Sequence, residues 1–290
     1  MRLHDDEVDT DAALVGRLVA AQFPRLAGLE IRRVNSTGTV NAIYRIGDEL
    51  CARLPRTLTR VDDLEREWEW LPRLAPSLTL RVPEPVAHGV ASAEYPSPWA
   101  IYRWLDGAPY AAVDDERAAA VALAGFVTEL RAVAVVEGAP RGGRRPLAEL
   151  DDVTRAAISA SRGVIDTGAA HAAWRRALEA PTWSGAAVWL HGDLLRPNLL
   201  VADGRLSAVI DFGGVGVGDP AADVVAAWAV FGAPGRAAYR AALAVDDGTW
   251  ERARGYALHQ AALIIPYYAE TNPAFVDLAR RTVEQLLGGP

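Results

Sequence analysis

The apolar positions of the first hundred residues change period several times. Over 11–22, Leu14, Leu18 and Val19 recur at helical spacing and predict a helix. Leu29-Glu30-Ile31-Arg32-Arg33-Val34 alternates with a period of two and predicts a strand. Asn35-Ser36-Thr37-Gly38-Thr39 has turn chemistry, and 40–46 reads as a second strand. Gly47-Asp48 is expected as a hairpin turn before a third strand over 50–54, which Pro55 ends. A helix is predicted over 62–74, capped near Asp62 or Asp63, and two more strands over 82–89 and 99–105.

After Leu105-Asp106-Gly107-Ala108-Pro109 the pattern becomes helical. Helices are predicted over 116–133, 151–165 and 169–180, with Arg141-Gly142-Gly143-Arg144-Arg145-Pro146 as a flexible loop between the first two. Short apolar strands follow at 188–191, 199–202 and 207–210, and then helices at 221–232, 234–243, 249–270 and 273–287. The expected fold class is α+β. A small antiparallel sheet with one or two helices occupies 1–105, and a mainly helical part occupies 106–290. No internal repeat is present.

Composition narrows the classes. The chain has 290 residues, 51% of them hydrophobic, enough for a sizeable core. No apolar run approaches the ~18 residues of a membrane span. The acidic start Met1-Arg2-Leu3-His4-Asp5-Asp6-Glu7 does not resemble a signal peptide. The lone Cys51 excludes an internal disulfide. The expected location is therefore cytoplasmic, as a monomer or weak dimer. A net charge of −7 disfavours nucleic acid as a partner, because phosphate-backbone binding requires a basic face. All 30 basic residues are arginine, so chemistry usually done by lysine must fall to arginine or be absent.

The chemistry concentrates in His191-Gly192-Asp193-Leu194-Leu195-Arg196-Pro197-Asn198 and, one hairpin later, Ile210-Asp211-Phe212-Gly213. Asp193 and Asn198 have the D-x-x-x-x-N spacing of a kinase catalytic loop, and Asp211 ends the next hairpin before a glycine. Phosphoryl transfer needs a carboxylate to accept or orient the acceptor hydroxyl, and oxygen ligands to hold Mg²⁺ against the phosphates. Asp193 suits the first role; Asn198 and Asp211 suit the second. Taken singly, each is an ordinary turn residue. The joint pattern is far more specific.

HGDLLRPNLLV and VIDFGGVGVGDPAAD resemble the catalytic and metal-binding segments of the aminoglycoside phosphotransferase family. The resemblance runs from the Asn35 turn to the C-terminal helices. It implies a bilobal protein-kinase-like fold with ATP or GTP, and Mg²⁺, between the lobes. Ser36, Thr37 and Gly38 then lie over the phosphates, or form a plain hairpin turn. Leu50-Cys51-Ala52-Arg53 takes the place of the Val-Ala-Ile-Lys strand. Alternation puts Cys51 and Arg53 on one face, and Arg53 in the position of the usual lysine. Its helix partner by resemblance is Glu67, in E-x-x-x-L-x-x-L with Leu71 and Leu74. Glu65 and Glu69 are alternatives, about 200° around the helix. Tyr102 and Trp104, on the strand leading out of the sheet, meet the base or pack between lobes. His191 is expected to orient the catalytic loop, and Asp223 to brace it from below. Asp219-Pro220 reads as a helix cap.

A small-molecule acceptor is expected among the C-terminal helices, with Trp228, His259, Tyr267, Tyr268, Glu270 and Asn272 as candidates. Acidic residues suit an aminoglycoside, and apolar ones a macrolide. The implied activity is transfer of the γ-phosphate to an antibiotic hydroxyl, which inactivates the drug. A metabolite kinase of the same fold (choline, homoserine or sugar kinase type) is the alternative. A pseudokinase interaction module is a third, suggested by the missing lysine.

Overall fold

The computed structural model describes residues 7–34 and 40–288. Asn35 to Thr39, and with them the phosphate-loop candidates Ser36, Thr37 and Gly38, lie outside the described residues.

The chain opens with α1 (Ala12–Gln22), whose N-terminus is capped by the Asp11 carboxylate accepting the Leu14 amide at 2.7 Å. β1 (Ile31–Arg33), β2 (Asn41–Ile46) and β3 (Leu50–Pro55) follow. Next come α2 (Val61–Leu74), β4 (Pro85–Gly89) and β5 (Trp99–Arg103). The five strands form one antiparallel sheet in the order β1-β2-β3-β5-β4. Leu14, Val15, Leu18 and Val19 of α1 pack on one face of the sheet with Tyr44, Ile46, Ala52, Leu54 and Trp99. Leu64 of α2 packs with Cys51, Ala100 and Tyr102 on the other. The 180° alternation of β3 thus sends Ala52 and Leu54 to α1, and Cys51 and Arg53 to the opposite side.

β6 (Ala108–Pro109) and α3 (Glu116–Ala132) lead into α4 (Asp151–Ala160), α5 (Thr167–Leu178) and β7 (Val188–Leu190). β8 (Leu199–Ala202) and β9 (Arg205–Val209) pair antiparallel, and β10 (Gly216–Gly218) returns to pair with β7. Then follow α6 (Ala221–Val224), α7 (Ala226–Ala229), α8 (Ala233–Leu243), α9 (Asp247–Tyr267) and α10 (Pro273–Leu287). The largest apolar cluster joins α3, α5, α7, α9 and α10 around Trp174, Trp228, Phe231, Tyr239 and Tyr256. Trp70, Leu71 and Leu74 at the far end of α2 also enter it. The fold is α+β, antiparallel sheet first and helices after.

Three expectations need correction. The helix predicted over 151–165 stops at Ala160, because Ser161 turns the chain and Gly163 takes φ +85°. The helix predicted over 221–232 is two short turns; at Val225 the carbonyl accepts from both Trp228 and Ala229, which tightens the coil. The Arg-Gly-Gly-Arg segment is not a loose loop. The Gly142 amide donates to the Val217 carbonyl at 3.0 Å, and the Val217 amide to Pro140 at 2.8 Å, so the segment is laced to β10. Its glycines are there for close approach: a Cβ on Gly142 would stand 2.7 Å from the Gly216 backbone. Gly192, at φ +83°, packs against Gly214 and Gly143 in the same seam.

Candidate active site

The segment between β7 and β8 is held from below. Asp223, fully buried, accepts the amides of His191 at 2.9 Å and Gly192 at 2.8 Å. The His191 ring accepts the Asp193 amide on Nδ1 at 3.2 Å and donates from Nε2 to the Ile210 carbonyl at 3.1 Å. Its proton is thus placed on Nε2 by its partners. One imidazole ties the Asp193 loop to the strand that leads into Asp211, and its face meets Phe212 with ring centroids 4.7 Å apart.

Both carboxylate oxygens of Asp193 are engaged. Asn198 Nδ2 donates to Oδ2 at 2.9 Å and also to the Asp193 carbonyl, which leaves its own Oδ1 as the acceptor end of the amide. Gln260 of α9 donates from Nε2 to Oδ1 at 2.7 Å. Burial raises the Asp193 pKa; Arg144 pulls it back, and Asp211 pushes it further up. The net upward direction suits a group that takes a proton near neutral pH.

Asp211 has φ +69° and ψ +68°, a left-handed conformation that costs a non-glycine residue energy. The strain is held by its surroundings. Arg53 donates to Asp211 Oδ1 at 2.8 Å and to Glu67, while the Phe212 amide donates to Glu67 Oε2 at 2.8 Å. Glu67 is 1% exposed because it shares the inward face of α2 with Leu64, Leu71 and Leu74. Glu65 and Glu69 point away; Glu65 meets His88 at 3.0 Å, and Glu69 meets Arg73 at 3.4 Å. Burial works against the charge on Arg53, but Glu67 and Asp211 outweigh it and hold the guanidinium protonated.

Arg53, Asn198 and Asp211 line one cleft of about 280 Å³. Val34, Val40, Ile43 and Cys51 form its sheet side, Leu200 and Ile210 its opposite wall, and Tyr102, Trp104 and Leu105 its back. Tyr102 is buried under the Arg53 guanidinium, 5.3 Å from ring centroid to cation, and Trp104 lies 4.1 Å from that of Arg45. Burial drives the Cys51 thiol up to about 11. The Asp211 carboxylate and the Asn198 amide oxygen are hard donors. They fit Mg²⁺, which takes one or two carboxylates and completes its shell with water and phosphate oxygens. Among the described residues no group of three or more His, Cys, Asp or Glu side chains could hold a metal by itself, so a cation that arrives with phosphates suits this donor set better than an all-protein cage.

The acceptor candidates scatter. His259 is in the core, its Nδ1 2.7 Å from the Thr154 hydroxyl and its ring beside Trp174; burial, Arg144 and Arg145 depress its pKa to about 4. Trp228 packs on Trp250, ring centroids 4.4 Å apart. Tyr267 is 62% exposed at the end of α9, Glu270 is exposed, Tyr268 stacks on Phe275, and Asn272 caps α10. The α9 residue that hydrogen-bonds Asp193 is Gln260, one position beyond His259, and sequence reasoning missed it. Arg144 was missed too; its charge acts on Asp193 and its buried Nε has no partner. Asp219 caps α6 through the Ala221 amide at 2.9 Å and pairs with Arg252 at 2.7 Å.

The family model described as the phosphotransferase enzyme family, APH, matches residues 31–256. No sequence among the curated proteins matches the chain. Solved structures do. The GDP and kanamycin complex of APH(2")-IIia superposes with a TM-score of 0.75 at 19% identity, over 94% of this chain and 98% of that one. The streptomycin–ATP–APH(2")-IIa ternary complex gives 0.63 at 17% identity, over 98% of both. The macrolide 2'-phosphotransferase MphH from Brachybacterium faecium, an apoenzyme, gives 0.60 at 23% identity, over 97% of this chain and 98% of that one.

Proposed function

The chain belongs to the phosphotransferase enzyme family, and from that premise we propose that it moves the γ-phosphate of ATP or GTP onto a hydroxyl of a small antibiotic. The observation that carries this reading is the gathering of Arg53, Asn198 and Asp211 on one cleft, with Asp193 hydrogen-bonded to Asn198.

In this reading the cleft residues divide the work. The apolar walls take the base, and Arg53, braced by Glu67, neutralises the phosphates. Asn198 and Asp211 hold Mg²⁺, which when bound screens phosphate charge. Asp193 receives the proton of the acceptor hydroxyl as the hydroxyl oxygen bonds to the γ-phosphorus and the nucleoside diphosphate leaves with the electron pair of the broken bond, and the raised pKa of Asp193 favours that step. His191 and Asp223 keep the loop in place without touching the reactants. The nucleotide complexes of similar structures support a nucleotide in the cleft.

Aminoglycoside and macrolide complexes or enzymes both occur among the similar structures. The groove beside Gln260, between α9 and α10, is lined by Leu195, Val225, Ala257, Ala261, Ile264, Phe275, Leu278 and Ala279 with Arg196 and no carboxylate. At about 20 Å³ this crevice has room for about one water and does not discriminate a macrolide from an aminoglycoside as the acceptor. The test is transfer from γ-labelled ATP and GTP, with Mg²⁺, to a panel of macrolides and aminoglycosides including kanamycin. Asp193→Asn is the control and should lose about 10²- to 10⁴-fold in kcat. An Asp193→Asn chain as fast as the wild type, or a wild type that labels no acceptor, would remove the proposal.

A further inference from the structure

Each carboxylate oxygen of Asp193 has a hydrogen-bond partner. Asn198 belongs to the same loop and moves with it. Gln260 comes from α9, 67 residues away in the chain, and donates to Oδ1 at 2.7 Å. That is the hydrogen bond an attacking hydroxyl must make: an O–H donor on a carboxylate oxygen of Asp193. Gln260 is also in the wall of the groove between α9 and α10, with Arg196, Ile264, Phe275 and Thr282. It therefore stands between the groove and the carboxylate. Gln260 is thus the α9 side chain that donates to Asp193.

We propose that the Gln260 amide is a placeholder for the acceptor hydroxyl, a positioning residue that occupies Asp193 Oδ1 until an acceptor displaces it and so denies that place to water. The inference rests on the phosphotransferase reading. A water molecule on Oδ1 would be as well placed as an acceptor. Its proton would pass to Asp193, its oxygen would bond to the γ-phosphorus, and the bond to the β-phosphate oxygen would break with its electron pair leaving on the diphosphate. The products would be free phosphate and nucleoside diphosphate, a wasted triphosphate. An amide donates as well as water does but cannot attack. When an acceptor enters, the amide swings off Oδ1, and its carbonyl oxygen can accept from a second donor on the incoming molecule.

The measurement is phosphate release from ATP and from GTP, with Mg²⁺ and no acceptor, for the full chain, Gln260→Met and Gln260→Asn. Methionine keeps the apolar bulk and removes the amide; asparagine keeps an amide that is too short to reach. Both should release phosphate about tenfold faster than the wild type, the factor of one displaced hydrogen bond to a charged group, with the nucleotide KM unchanged. Adding Asp193→Asn to Gln260→Met should abolish the gain. A Gln260 that merely supports the fold gives the opposite sign: slower release, and melting that falls with it. Release that is unchanged or slower in both variants overturns the placeholder. A wild type that turns over neither triphosphate, with or without an acceptor, fails the phosphotransferase reading itself, and that result is distinct from a working enzyme that Gln260→Met leaves no faster.

Discussion

The Arg53 guanidinium is 2.8 Å from Asp211 while its other arm holds Glu67, so one planar cation on β3 bridges a helix carboxylate and the strained residue at the end of the β8–β9 hairpin. A lysine, with a single ammonium, would serve as a point charge in that place; the arginine fork is shaped for two acceptors at once.

The first prediction concerns that fork. Arg53→Met leaves Glu67 buried without its cation, and should cost about 3–5 kcal/mol in urea unfolding. Arg53→Lys should cost less and still bind nucleotide, more weakly. A nucleotide affinity untouched by Arg53→Met would show that the cation does not face the phosphates.

Asp223 carries two amides of the catalytic segment. Asp223→Ala strands both in a fully buried place and should destabilise by about 2–4 kcal/mol, with kcat falling as His191 and Asp193 lose their support. Asp223→Asn, which has one oxygen to offer, should fall between. Chemical denaturation and steady-state turnover on the same preparations test this, and equal stability of all three chains would refute it.

His259 sets part of the acid sensitivity. In the fold its pKa is depressed to about 4, against an ordinary value of 6.5. Between those values the unfolded chain binds the proton and the folded chain does not. Stability therefore rises with pH from about 4 to about 6.5 and is flat above, and falls by about 3 kcal/mol on acidification through that window. His259→Gln removes the titration. Its unfolding midpoint should lose less between pH 7 and pH 4.5 than the wild type's. An identical loss in both would assign the acid sensitivity elsewhere.

Cys51, at about 11, exposes roughly one thiolate in a thousand at pH 8. It should react with a maleimide far more slowly in the folded chain than in the urea-unfolded one. Because it lines the same cleft as Arg53, ATP or GTP should slow the reaction further. Labelling that ignores nucleotide would place the base elsewhere.

Much of this was legible because the decisive pieces are local. Asp193 and Asn198 are five residues apart on one turn, and their mutual hydrogen bonds follow from that spacing. Glu67 stood out from Glu65 and Glu69 through the resemblance of E-x-x-x-L-x-x-L to the family's helix, and it shares the buried face of α2 with Leu64, Leu71 and Leu74. α9 offers no such face. Its buried positions, from Trp250 to Ile265, run around most of the helix, so nothing in the sequence says whether residue 259 or 260 meets Asp193. The chemically conspicuous histidine went to Thr154, and the glutamine one position on, rotated by about 100°, went to the site. The Arg-Gly-Gly-Arg segment misled for a related reason. Glycine marks both loose turns and tight backbone contacts, and only the partner strand, about 75 residues later, distinguishes them.

The facing glycines at 142 and 216, with 192 against 214, have a consequence for how this protein can change. When a bulky side chain is introduced into an ordinary core, a neighbour can shrink to make room. Here the atoms that a new side chain would meet are backbone, so no single compensating exchange of side chains exists. Variation must spare these positions or shift a whole backbone segment at once, and the ground on which Asp193 stands is closed to gradual revision.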